Sequence, residues 1–227
     1  MFLAMAAAAL LLGANPNSEL RKSVLERMDK AAADFKAMTA QVSYLTHTDV
    51  LNEDSTESGT VVMKQLPNGE VQGLVDFRAP DKRTLMFEKR RLKRYFPKIN
   101  RLEIIDLDKH AAQLDKFVLI GFGISGAELT RDFDVTVLGT EALKGQTGRG
   151  IQLHLVPKTG EAQKYVKSVD LLLPEQGDPY PVREKILQLS GDYQIITYSD
   201  LKINPSLAAD ALELKLPAGV ETVYPGK

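Results

Sequence analysis

The chain has 227 residues, of which 44% are hydrophobic and 26% charged, and its net charge is −1. That balance is globular rather than disordered, and the length suits one large β domain. Cysteine is absent, which excludes disulfides, thiolate metal sites, cysteine nucleophiles and a lipid on an N-terminal cysteine; the near-zero charge gives no bulk attraction to nucleic acid.

Residues 1–14, MFLAMAAAALLLGA, carry no charge and end in the small pair Gly13-Ala14. This pattern predicts a secretory signal peptide, followed by a single domain over residues 15–227 outside the cytoplasm. Fourteen residues fall short of the ~20 needed to span a bilayer. Ser18 and Glu19 then suit the start of a helix. Leu20, Val24, Leu25, Met28, Ala31, Ala32 and Phe35 form one apolar stripe, which predicts a helix over residues 19–36.

After Met38 the period changes to two. Val42 and Tyr44, Val61 and Met63, and Val75 and Phe77 each alternate with polar residues, and Pro67-Asn68-Gly69 marks a hairpin turn. Strands follow over Thr84–Phe87, Leu92–Phe96 and Leu102–Leu107. Residues 108–131 interrupt the pattern with an apolar, glycine-broken helical insert. Strands resume at Phe133–Leu138, Gly150–Val156, Tyr165–Leu173, Val182–Leu189 and Tyr193–Ile203. Six strands, an insert and five strands predict a strongly curved antiparallel sheet with helices on one side.

Gly121, Gly123 and Gly126 match G-x-G-x-x-G, but only about a turn and a half of helix can follow before the next strand. A dinucleotide crossover needs a longer helix and parallel strands, so the match is a loop. His47, His110 and His154 are far apart and lack metal-ligand spacing. Nothing argues for catalysis, a metal or a cofactor. Charge is uneven in one place. Arg78, Lys82, Arg83, Lys89, Arg90, Arg91, Lys93, Arg94, Lys98 and Arg101 face only Asp81 and Glu88, a net of +8. Lys89, Arg90, Arg91, Lys93 and Arg94 crowd one hairpin tip and are candidates for docking on a membrane surface or a partner protein.

The order of several segments carries a resemblance. They are Phe35–Val42 after the helix, Gly59–Lys64, Tyr95-Phe96-Pro97, Leu138–Glu141, Val169–Leu173, Ile196–Asn204 and Leu216–Glu221. Over residues 19–222 the chain resembles the LolA-like family of periplasmic outer-membrane lipoprotein carriers. The resemblance implies a mainly β fold, an unclosed, strongly curved antiparallel half-barrel of about 11 strands, lidded by the N-terminal helix and the central helical insert. It further implies a periplasmic, monomeric carrier without enzymatic activity. Such a carrier takes acylated lipoprotein cargo from an inner-membrane ABC exporter to an outer-membrane acceptor or to the membrane itself. Related half-barrels that sense envelope stress through a partner protein are the alternative.

Strand alternation nominates Val42, Tyr44, Val61, Met63, Val75, Phe77, Leu85, Phe87, Leu153, Leu155, Val169 and Leu171 as the lining of the acyl-chain cavity. Leu114, Phe117, Val118 and Phe122 are the lid candidates. Two departures from the family pattern stand out. Gln65 follows Lys64 where the family has a lid-locking arginine, with Arg78 as a substitute from another strand, and the cavity tryptophans are missing.

Overall fold

The computed structural model describes residues 16–89, 91–106, 120–144, 147–158 and 160–225. Helix α1 (Pro16–Asp34) leads into a first meander of β1 (Ala37–Thr48), β2 (Glu53–Gln65), β3 (Val71–Ala79), β4 (Arg83–Glu88), β5 (Arg91–Phe96) and β6 (Arg101–Asp106). A second meander follows the short α2 (Gly126–Asp132). It comprises β7 (Phe133–Ala142), β8 (Arg149–Pro157), the single turn α3 (Gly160–Gln163), β9 (Val166–Pro174), β10 (Arg183–Gln188) and β11 (Tyr193–Ile203). The two meanders join where β1 pairs antiparallel with β11. One twelve-stranded sheet results, in the order β12-β6-β5-β4-β3-β2-β1-β11-β10-β9-β8-β7. It has two free edges, so the half-barrel is unclosed.

The expected strands are all present, most within a residue or two of their predicted ends. One strand more than expected is found. The three-residue β12 (Glu221–Val223) lies parallel to β6 at the sheet edge. Its seat is Asn100, whose backbone carbonyl accepts from Glu221 N–H and whose amide donates to the Gly219 carbonyl, each at 3.0 Å. The expected signal peptide, 1–14, lies outside the described residues, as do the lid candidates Leu114, Phe117 and Val118. Among the described residues no helix is long and apolar enough to cross a membrane.

Helix α1 ends two residues earlier than its apolar stripe suggests. The cause is Asn204, at the far end of the chain. Its amide donates to the Asp34 carbonyl at 2.7 Å, and its oxygen accepts from the N–H groups of Lys36 and Ala37 at 2.7 and 3.1 Å. One side chain thus satisfies both the helix end and the strand start. Phe35, freed from the helix, drops into the core.

The G-x-G-x-x-G stretch is a loop, as read from the sequence. Ser125 then caps α2. Its hydroxyl accepts from the Glu128 N–H at 3.1 Å, while the Glu128 carboxylate accepts from the Ser125 N–H at 3.0 Å. That helix has seven residues and runs into an antiparallel strand.

Two apolar clusters fill the concave side. In the first, Val24 and Met28 of α1 pack with Leu129, Ile120 and the inward residues of β7 to β10. In the second, Phe35, Phe122 and Tyr180 pack over β1, β2, β3 and β11.

Candidate functional site

Strand register sorts the concave face into cross-strand rows. Met38, Met63, Gly73, Phe87, Leu92 and Ile105 form one row. Ala40, Val61, Val75, Leu85, Arg94 and Glu103 form the next. Then come Tyr198, Val42, Gly59, Phe77 and Arg83. A further row runs Glu57, Tyr44, Ile196, Glu184, Leu171, Leu153 and Val137.

All twelve nominated lining residues share this face, but their surroundings differ. Leu153, Leu155, Val169 and Leu171 are completely buried, and α1 fills the space above them. Val42, Val61, Met63 and Phe77 are buried in the second cluster. Tyr44, Val75, Leu85 and Phe87 are only half-buried. The concave face is therefore a packed core on the β7–β10 side and, on the β3–β6 side, a half-buried trough whose apolar residues adjoin the Arg94–Glu103 pair.

Phe122 is the lid candidate that the structure describes, and it is buried at the junction of the two halves. Its ring stacks on Tyr180 at 5.8 Å and meets Tyr198 edge-on at 5.1 Å. Ile120, two residues earlier, belongs to the other cluster. Gly121 and Gly123 make this alternation feasible, with φ of +92° and +70°. A β-carbon on Gly121 would stand 2.7 Å from Pro181, and one on Gly123 would stand 2.7 Å from Phe35. The loop carrying Tyr180 is clasped by α1: Arg27 donates to the Gly177 and Pro174 carbonyls, and the Tyr180 hydroxyl donates to the Ala31 carbonyl at 3.2 Å.

Polar groups gather at one end of the concave face. The Arg83 guanidinium forks onto Glu57, with Nε to Oε1 at 2.6 Å, and lies 4.5 Å from the centre of the Phe77 ring. Arg94 and Arg101 share Glu103 at 2.6 and 3.4 Å. Tyr44 packs edge-on to Phe77 at 5.9 Å, and burial raises its pKa.

Sequence reasoning passed over Glu184. It is completely buried, and among the described residues the Tyr198 hydroxyl is the polar group that reaches its carboxyl, without a well-aligned hydrogen bond. Burial drives its pKa well above the usual carboxylate range, with the nearby Tyr198 hydroxyl acting in the other direction. Burial and Glu184 together raise Tyr198. The signal was present in the alternation, because Val182, Glu184 and Ile186 fall on one side of a strand. Charged Arg183 and Lys185 mask it.

Among the described residues, the nominated docking residues divide between the two faces of the sheet. Lys89 is exposed at the turn, with φ of +47°. Arg91 pairs with Asp106, and Lys93 pairs with Glu88, on the convex side. Arg94 faces the opposite way, into the trough. Arg90 lies outside the described residues. Arg78 is also convex. It is 64% exposed, sits 3.8 Å from Asp76, and lines a shallow depression with Gln41, Ser43, Ser58, Gly59, Thr197 and Ser199. On that side of the strand it points away from Phe122; the other lid candidates lie outside the described residues.

No protein-family model and no curated sequence matches the chain. Solved structures do match its fold. An uncharacterised conserved protein from Thermus thermophilus superposes with a TM-score of 0.53 at 15% identity, over 89% of this chain and 98% of that one. MucB gives 0.53 at 13% identity, over 88% of this chain and 65% of MucB. LprF from Mycobacterium bovis gives 0.50 at 12% identity, over 88% of this chain and all of LprF. At these identities the likeness is one of fold, and the fold is the unclosed half-barrel that the LolA-like resemblance implied.

Proposed function

We propose that this protein is a periplasmic carrier that binds the acyl chains of lipoproteins in the concave trough and shuttles them from the inner to the outer membrane. The observation that carries this is the half-buried apolar patch of Val75, Leu85 and Phe87, spread over two neighbouring cross-strand rows and continuous with the core beside Phe122. Apolar surface left half-covered on a concave face favours a hydrocarbon occupant. Each methylene that leaves water there gains ~0.8 kcal/mol, so partial burial of one chain gives several kcal/mol. Release needs a cover whose own apolar groups replace the ligand's, and we assign that exchange to Phe122.

On this reading the chain binds rather than catalyses. It acts as a monomer, receives cargo from an inner-membrane ABC exporter and passes it to an outer-membrane acceptor or directly to the membrane. Native mass spectrometry of protein purified from a bacterial periplasm tests the proposal. Co-purifying lipoprotein supports the carrier. A stoichiometric protein partner with no acylated cargo would replace it with the envelope-stress sensor reading.

A further inference from the structure

Glu184 is the anomaly of the concave face. Its cross-strand neighbours are Leu171 and Ile196, and Ile186 follows on the same side of β10. A leucine would fit this setting at no polar cost. The carboxyl instead gives up hydration and gains in return only the neighbouring Tyr198 hydroxyl, in poor hydrogen-bond geometry. Native folds rarely keep such a group without a use for it.

Its position suggests the use. Glu184 lies diagonally beside Tyr198, and Tyr44 comes next across Ile196, followed by Glu57 with its Arg83 partner. Polar groups thus cross the concave face at one level, from the packed half into the trough. Toward Met38 and Met63 the face becomes apolar, except for the Arg94–Glu103 ion pair on its β5–β6 side. Tyr44 and Met38 are six residues apart on β1, about 20 Å of strand, which is the reach of a long acyl chain. The concave face is therefore amphipathic along the strands. Phe122 stands edge-on over Tyr198.

We infer that Glu184 and Tyr198 are the polar anchor of the acyl site, and that they hydrogen-bond the carbonyl at the head of an ester- or amide-linked acyl chain whose tail runs toward Met63 and Phe87. The inference rests on the carrier proposal and adds the ligand's head chemistry and its orientation. A protonated carboxyl and a phenol present two O–H donors, and a carbonyl oxygen has two lone pairs to receive them. Burial holds both groups toward their protonated forms. Moving Phe122 off Tyr198 is the step that would admit the carbonyl.

The test is displacement of the dye N-phenyl-1-naphthylamine by methyl palmitate, N-methylpalmitamide, heptadecane and hexadecylamine. Wild-type protein should prefer the ester and amide over the hydrocarbon by about tenfold, the worth of one good hydrogen bond. Glu184→Leu should abolish most of that preference, leave heptadecane binding within about threefold, and raise the thermal midpoint. Should Glu184→Leu fail to fold, Tyr198→Phe and Glu184→Gln carry the test. The phenylalanine variant should lose part of the preference, and the glutamine variant, which keeps a donor, should retain it. Unchanged preference in the leucine or phenylalanine variant overturns the anchor while leaving the carrier standing. Tighter binding of hexadecylamine than of the ester overturns the carbonyl assignment. If neither ester nor hydrocarbon displaces the dye, the carrier reading falls as well.

Discussion

The two halves of the concave face share one strand pattern and differ in what lies on top. On the β7–β10 side, Val135, Leu153, Leu155, Val169 and Leu171 are buried beneath α1. On the β3–β6 side, Val75, Leu85, Phe87, Leu92 and Ile105 follow the same alternation and remain half-buried. Alternation therefore specifies which residues face inward, and the helix decides whether they act as core or as trough. Substitutions should separate these roles. Leu153→Ala and Leu171→Ala should each cost about 2–5 kcal/mol, because a fully packed site cannot collapse around the cavity left behind. Val75→Ala and Leu85→Ala should cost under about 1 kcal/mol and instead weaken binding of a fluorescent acyl probe. Urea unfolding alongside probe titration reads both quantities. Equal losses of stability in the two halves would mean that the trough is ordinary core.

The strands, their order and the inward-facing set were legible because strand burial has a period of two and the turns carry glycine, proline and asparagine. Four features were not. The end of α1 depends on Asn204, a contact across about three-quarters of the chain that no local pattern encodes. Strand β12 is three residues long and owes its place to Asn100 rather than to its own alternation. Glu184 was hidden by composition, since Arg183-Glu184-Lys185 reads as a solvated triplet although alternation turns only its middle member inward. The division of the nominated lining into core and trough was also invisible, because it depends on where a helix lies and not on the strands beneath it.

Glu184 sharpens the comparison, because it is a titratable group on the packed side of the face. Its folded-state pKa is raised, so the folded chain holds a proton that the unfolded chain releases. That contribution to stability is complete at acidic pH, below the usual carboxylate value, and is lost as pH rises toward the raised value. Glu128 and Asp192 are shifted down, so their contributions are lost instead as pH falls. The difference between wild type and Glu184→Gln isolates the first effect from the other two. The glutamine variant should gain on wild type progressively as pH rises above the usual carboxylate range, as read from urea midpoints. The groups facing Glu184, Tyr198 and Tyr44, have raised pKa values and stay protonated across that window. A constant difference between the two proteins would mean that Glu184 keeps the same charge throughout.

The smallest effect concerns the basic stretch, which alternation divides between the two faces. Arg94 and Lys93 are adjacent in sequence and opposed in space. Arg94 holds Glu103 in the trough, while Lys93 holds Glu88 on the convex side. Lys89 and Arg91 remain near the exposed tip, and the Arg91–Asp106 pair is open to solvent, so it contributes little to stability. Reversing Lys89 and Arg91 to Glu should therefore shift stability by no more than about 0.5 kcal/mol. A carrier that meets anionic surfaces tip-first would still lose encounter rate, because local positive charge speeds approach. Transfer of a labelled acyl cargo to anionic vesicles should thus slow at low salt. The gap between the two proteins should close as salt rises, since exposed charges are screened over ~10 Å at 0.1 M. Arg94→Glu, by contrast, should weaken acyl binding itself with little dependence on vesicle charge, because it sets two carboxylates against each other inside the trough. If the tip variant transfers cargo at the wild-type rate in low salt, the tip is a solvated hairpin, and any docking surface belongs elsewhere on the molecule.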